Sequence, residues 1–182
     1  MTHYRGGADF EREVRAALTI PLTQGYQTTV DAEDYADLLA AGPWQALIDD
    51  RTGTVYARRR VRDDDSGRYY GQLMHRYLLP GVEVVDHHNG NGLDNRRANL
   101  RPSTVTENNR NRRRRRDNTS GYKGVWTRGA RWHARIKADG RERYLGSHPT
   151  PESAAHAYDA AARDLHGEFA ALNFPQPGER AA

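Results

Sequence analysis

The chain has 182 residues, of which 36% are apolar and 29% charged, with a formal net charge of +4. That is too little hydrophobic material for one large core and favours several small modules, which the strand and helix patterns below make α+β. The absence of cysteine excludes disulfides, cysteine-based zinc fingers and thiol nucleophiles together.

Residues 1–17 read as a loosely ordered lead-in with no apolar h-region, and nowhere do about 18 apolar residues run together. A soluble intracellular protein is therefore expected. Residues 18–80 form a β-rich region. Leu18–Asp31 alternates and predicts a strand pair around Gln24-Gly25. Asp31 can cap a short helix with Ala32, Tyr35, Leu38 and Leu39 on its inner face, ended by Gly42-Pro43. Trp44–Ile48 and Thr54–Val61 read as strands on either side of the turn Asp49–Gly53. Met74–Leu79 is a short apolar piece stopped by Pro80-Gly81.

Val82–Val85 predicts a strand running into Asp86-His87-His88, and Asn89–Gly92 is a loop dense in turn residues. Thr104 and Glu107 make a capping box for a helix from Val105 into the block Arg112–Arg116. Residues 117–120 are polar and short, which marks a linker with few contacts across it. Beyond it, Tyr122–Arg128, Arg131–Ala138 and Arg141–Gly146 predict three antiparallel strands, the last two joined by Asp139-Gly140. A helix follows, with Thr150 as N-cap, Pro151 first and Gly167 past its end. Ala155, Tyr158, Ala162 and Leu165 form its inner face, against Val125, Ala134, Ile136 and Leu145 of the strands. Residues 176–182 read as a tail.

Charge is unevenly spread. Arg96–Gly146 carries 16 Lys/Arg against 4 acidic residues, whereas Met1–Pro80 carries 10 Arg against 12 acidic residues. Such a basic segment is the footprint of a polyanion binder, with a solvated basic face as the plainer reading.

The chemistry concentrates between residues 86 and 108. If the strand packs on the helix, Asp86 and Asn108 offer two hard oxygens to one Mg²⁺ or Mn²⁺ ion. A neutral His87 beside them can take a proton from water, and the side-chain carbonyl of Asn99 can fix its ring. A zinc pair at His87-His88 is a poorer reading, since neighbours on a strand point to opposite faces. A calcium loop from Asp86 would need Glu at its twelfth position, where Arg97 stands. A bare turn is the remaining alternative.

The combination of His75-Arg76, Val85-Asp86-His87, Leu93–Arg97, Asn99-Leu100-Arg101, Thr104 and Asn108 closely resembles the HNH endonucleases of phages and mobile introns. The resemblance spans about forty residues with the spacing intact. It implies a ββα-metal site in residues 81–116, with Asp86 and Asn108 as metal ligands, His87 as general base and Asn99 as its orienter. His88 departs from the pattern, where an apolar residue is common, and His75 is read as structural, with contact to DNA as the alternative. The region around Trp44, Tyr56 and Ala57 looks like the β-rich part often fused to such nucleases.

A second resemblance covers residues 121–175. Ser120–Val125, Trp132, Ala134, Ile136, Tyr144-Leu145-Gly146, Ala154–Ala161 and Leu172–Pro175 look like the plant Apetala-two/ethylene-response-factor DNA-binding domain. It implies a sheet that lies in a DNA groove, here with Lys123, Trp126, Arg128, Arg135, Lys137 and Tyr144 toward DNA. The alternative is that Trp126 and Trp132 are both core. Trp126, Arg135 and Glu142 stand where the plant pattern has Arg, Glu and Arg, so DNA binding carries over and the target sequence does not. Arg112, Arg113, Arg114, Arg115 and Arg116 would neutralise phosphates without sequence choice, or else form a solvated linker. Together the resemblances imply a homing-type endonuclease in the cytoplasm of a phage-infected or bacterial cell. It would act on double-stranded DNA as a monomer with one Mg²⁺ or Mn²⁺ ion, no small-molecule cofactor and no membrane. A DNA-binding regulator with an inactive nuclease remnant is the alternative. A packaging protein fits the charge and leaves the Asp-His/Asn spacing unexplained.

Overall fold

The structure, a computed structural model, describes residues 16–50, 52–110 and 118–182. Strands β1 (Ala17–Pro21) and β2 (Gln27–Asp31) pair antiparallel about a 3-10 turn at Thr23–Gly25. Helix α1 (Ala32–Ala40) starts after Asp31, but that carboxylate does not cap it. Asp31 Oδ2 instead accepts the backbone N–H of Arg97 at 2.8 Å. Leu39, expected inside, is 49% exposed, while Leu38 is fully buried. Successive helical residues lie about 100° apart, so a short helix centred on Leu38 turns Leu39 outward.

Strands β3 (Gln45–Ile48), β4 (Val55–Arg62) and β5 (Tyr69–Leu73) form an antiparallel sheet in that order. Helix α2 (Met74–Leu78) then buries Met74, His75 and Leu78. Strand β6 (Val85–His87) begins later than expected, so Asp86 and His87 lie within it. It pairs antiparallel with β7 (Leu100–Pro102), setting Asp86 opposite Arg101. Helix α3 (Val105–Arg110) follows. Its capping box is complete: Thr104 N–H donates to Glu107 Oε2 at 2.7 Å, and Glu107 N–H to Thr104 Oγ1 at 3.2 Å. The Arg112–Arg116 block lies outside the described residues.

One apolar core joins residues on both sides of position 80, including Val30, Leu38, Trp44, Ala57, Met74, Val85 and Leu100. β2 also reaches the later segment directly. Thr29 N–H donates to Leu93 O and Asn95 N–H to Thr29 O, both at 2.8 Å. The β-rich region and the ββα unit thus pack as one body.

The second body is built on strands β8 (Val125–Arg128), β9 (Arg131–Ala138) and β10 (Arg141–His148), ordered β10-β9-β8. Helix α4 (Pro151–His166) covers one face. Thr150 and Ser153 form its capping box, and Gly167 ends it. Asp139 and Gly140 both take positive φ, 52° and 74°, as a two-residue hairpin turn requires. Gly124 also has positive φ, and a Cβ there would sit 2.1 Å from the Tyr158 ring, so only glycine lets the chain pass the helix. Separate apolar clusters around Ile136/Tyr158 and Val125/Ala155 serve this body alone. Strands β11 (Ala171–Leu172) and β12 (Arg180–Ala181) pair in parallel, so the expected tail is tied back onto the module.

The two bodies meet through more contacts than a polar linker suggested. Arg101 reaches Glu168 Oε2 at 2.9 Å and stacks 3.8 Å over Phe169. Lys123 Nζ donates to Arg110 O, and Arg180 Nη1 to Asn89 O, both at 2.8 Å. Long cationic side chains make these contacts, since they can span between two finished surfaces.

Candidate active site and nucleic-acid interface

A cleft of about 270 Å³ opens between β4, α2, β6 and α3, with Tyr56, His75, Arg76, Asp86, His87 and Asn108 among its lining residues. Asp86 and His87 are 3% and 5% exposed, respectively, and Asn108 is half-buried. His88, the next residue, is exposed. The ββα fold thus brings the three chemically apt side chains to one place.

The group that holds His87 is not Asn99. Asn99 Oδ1 accepts from Asn89 N–H at 2.9 Å and its amide donates to Asp94 O at 2.7 Å, so it staples the loop after β6. Asn95 Oδ1 lies 3.3 Å from His87 Nε2 instead. Asn95 is fully buried, and its amide N–H donates to Thr28 Oγ1 at 2.8 Å, while that hydroxyl donates to Leu93 O at 2.8 Å. This chain orients the Asn95 amide, and a carbonyl oxygen can only accept. With Nε2 protonated, His87 donates to Asn95 Oδ1 and Nδ1 is the basic nitrogen. Sequence reasoning missed Asn95 because Thr28, its anchor, is 67 residues away.

His75 meets the His87 ring edge-on, centroids 4.9 Å apart. Burial above all, with His87 and Arg76 adding to it, holds His75 down at about 3. Burial likewise pushes His87 below the ordinary imidazole value, against the Asn95 hydrogen bond and the charge of Asp86. Both rings are thus neutral near pH 7. Asp86 Oδ2 accepts twice from Arg101, at 2.9 and 2.8 Å. Its carboxylate and the Asn108 amide are hard donors on one cleft, which fits Mg²⁺ or Mn²⁺. Among the described residues another acidic group, Asp31/Glu33/Asp34, has the spacing for an ion. Arg97 fills it, 2.6 Å from Asp34 and 3.7 Å from Glu33, so it is an internal ion-pair cluster.

On the second body, Trp126, Arg128, Arg135, Lys137 and Tyr144 occupy the sheet face away from α4, while Val125, Ala134 and Ile136 are buried beneath. Trp126 stacks on His133 at 5.4 Å, with Arg135 4.9 Å over its ring. Arg135 also pairs with Glu142 at 3.0 Å. Trp132, by contrast, packs into the core. Lys123 is not on this face. Its ammonium points into the seam between the bodies, and burial with nearby Arg180 lowers it to about 7.

The HNH endonuclease family profile matches residues 73–110. The chain is 34% identical over 94 residues to Protein 3.8 of Escherichia phage T7, covering 50% of this chain and 77% of that protein. It is 45% identical over 64 residues to the Ethylene-responsive transcription factor ERF010 of Arabidopsis thaliana, covering 32% and 35%. It is 48% identical over 56 residues to the Dehydration-responsive element-binding protein 2A of Oryza sativa subsp. indica, covering 29% and 20%. The chain spans only about a third or less of these plant proteins, and most of the phage one.

Proposed function

Because the chain belongs to the HNH endonuclease family, we propose that it is a metal-dependent endonuclease of the phage and mobile-element type, cutting duplex DNA that its Apetala-two-like module binds. The observation that carries this reading is the single cleft holding Asp86, His87 and Asn108. Asp86 and Asn108 would hold one Mg²⁺ or Mn²⁺ ion. When bound, that ion supplies charge stabilisation at the scissile phosphate and the leaving oxygen. His87 Nδ1 takes the proton of the attacking water, and Asp86 steadies the cation so formed. Asn95 keeps the ring in one tautomer throughout, and Arg101 fixes the Asp86 carboxylate. Trp126, Arg128, Arg135, Lys137 and Tyr144 present cations and π-faces to the duplex.

The test is cleavage of supercoiled plasmid with Mg²⁺ or Mn²⁺, with and without chelator, by the wild type and His87→Ala. The variant should cut about 10²–10⁴-fold more slowly at unchanged duplex affinity. Undiminished cutting by the variant, or in chelator, refutes the reading. The Arg101–Asp86 ion pair favours one rival, a DNA-binding regulator with an idle nuclease unit. Its outcome is binding without cleavage under every divalent ion tried.

A further inference from the structure

Among the described residues, the cleft has one lining residue that comes from the other body. Arg180, on β12, lines it together with Asp86, His87 and Asn108, although it lies 91 positions from the loop residue it touches. We propose that Arg180 grips a backbone phosphate of DNA in the nuclease cleft, so that the DNA-binding module completes the cutting site. This rests on the endonuclease reading above.

Two observations carry it. The guanidinium has a built seat: Nη1 donates to Asn89 O at 2.8 Å, and a Cβ on Gly90 would stand only 1.5 Å from Nη2. Gly90 is therefore the residue type that lets the cation enter, and Arg180 is 7% exposed overall. The backbone behind it is anchored from two sides. β12 pairs with β11 at Ala171, and Glu179 holds Arg163 of α4 at 2.7 and 2.8 Å. A guanidinium offers five donors in a planar fork, so it can keep the Asn89 carbonyl and still hold a phosphate oxygen. Held rigidly, it meets the charge that builds on the phosphate without reorganising.

The consequence is a coupling between recognition and cutting: the module that binds the duplex also delivers a cation to the scissile region. The test uses the full chain as wild type, Arg180→Ala and Arg180→Lys. Cleavage of supercoiled plasmid is followed with Mg²⁺, duplex binding across a salt series in chelator, and thermal melting alongside. Arg180→Ala should cut about 10²–10³-fold more slowly. Its slope of log affinity against log salt should shrink by about 0.9, one phosphate contact. Free guanidinium should restore part of its cleavage. An unchanged salt slope with no rescue overturns the proposal and leaves Arg180 as a tie between the bodies. If Arg180→Ala melts early, Arg180→Lys decides, since it keeps the stem and charge but loses the fork: a wild-type cleavage rate overturns the proposal. A wild type that binds and never cuts would sink the endonuclease reading instead, and the salt slope would still judge Arg180.

Discussion

Replacing Asn95 by Ala tests the central claim about how His87 is held. The substitution removes the oxygen 3.3 Å from His87 Nε2 and the amide that donates to Thr28 Oγ1 at 2.8 Å. Both contacts lie in a fully buried spot, since Asn95 and Thr28 are each 0% exposed. Depriving a buried polar group of its partner costs about 1–3 kcal/mol. The His87 contact is long and Thr28 keeps its bond to Leu93, so the lower half of that range is expected, read as a drop in melting temperature. Catalysis should suffer more selectively. A ring with no fixed tautomer presents Nδ1 as base only part of the time, and losing such an orienting partner typically costs about 10–100-fold. Plasmid cleavage should fall by that factor while duplex affinity in chelator stays the same. Asn95→Asp sharpens the test: a carboxylate beside the ring favours the imidazolium, so the acid limb of the pH–rate profile should move to higher pH. A folded Asn95→Ala protein that cuts at the wild-type rate would refute the reasoning.

Asp86→Ala and Asn108→Ala should abolish the divalent-ion response of cleavage, whereas His88→Ala, altering an exposed residue, should leave it intact; equal loss in all three would contradict the assigned ligands. Stability should fall with acid. His75 and His87 have folded values below 6.5, so the unfolded state binds more protons, and their contribution is complete above about pH 6.5 and lost as pH drops toward the folded values. Each such group costs about 1.4 kcal/mol per pH unit in that window, and a melting temperature flat between pH 7 and about pH 4 would disprove it. Arg135→Ala should weaken duplex binding by about 1–3 kcal/mol with little change in melting, because the side chain is half exposed and its Glu142 pair is a surface one. Undiminished affinity in that variant would mean the outer sheet face is not the duplex-binding surface.

The sequence alone settled what depends on neighbours. Thr104 with Glu107, Thr150 with Pro151, and Asp139-Gly140 each satisfy backbone groups within a few residues, so caps and turn were legible and are present. The strand alternation in 125–148 likewise told the buried face from the exposed one. The grouping of Asp86, His87 and Asn108 was expected from the resemblance to HNH endonucleases, and all three line one cleft. What only the tertiary structure decided depends on partners far away in the chain. Asn95 replaced Asn99 as the holder of His87 because Thr28 of β2 fixes its amide. Lys123 turned from the sheet face to the carbonyl of Arg110, and Arg180 left the expected tail for the nuclease cleft. Asp31 likewise gave up helix capping for the backbone of Arg97. A buried hydrogen bond goes to whichever group the packed bodies bring within reach, and that geometry exists only once two separately formed surfaces have met.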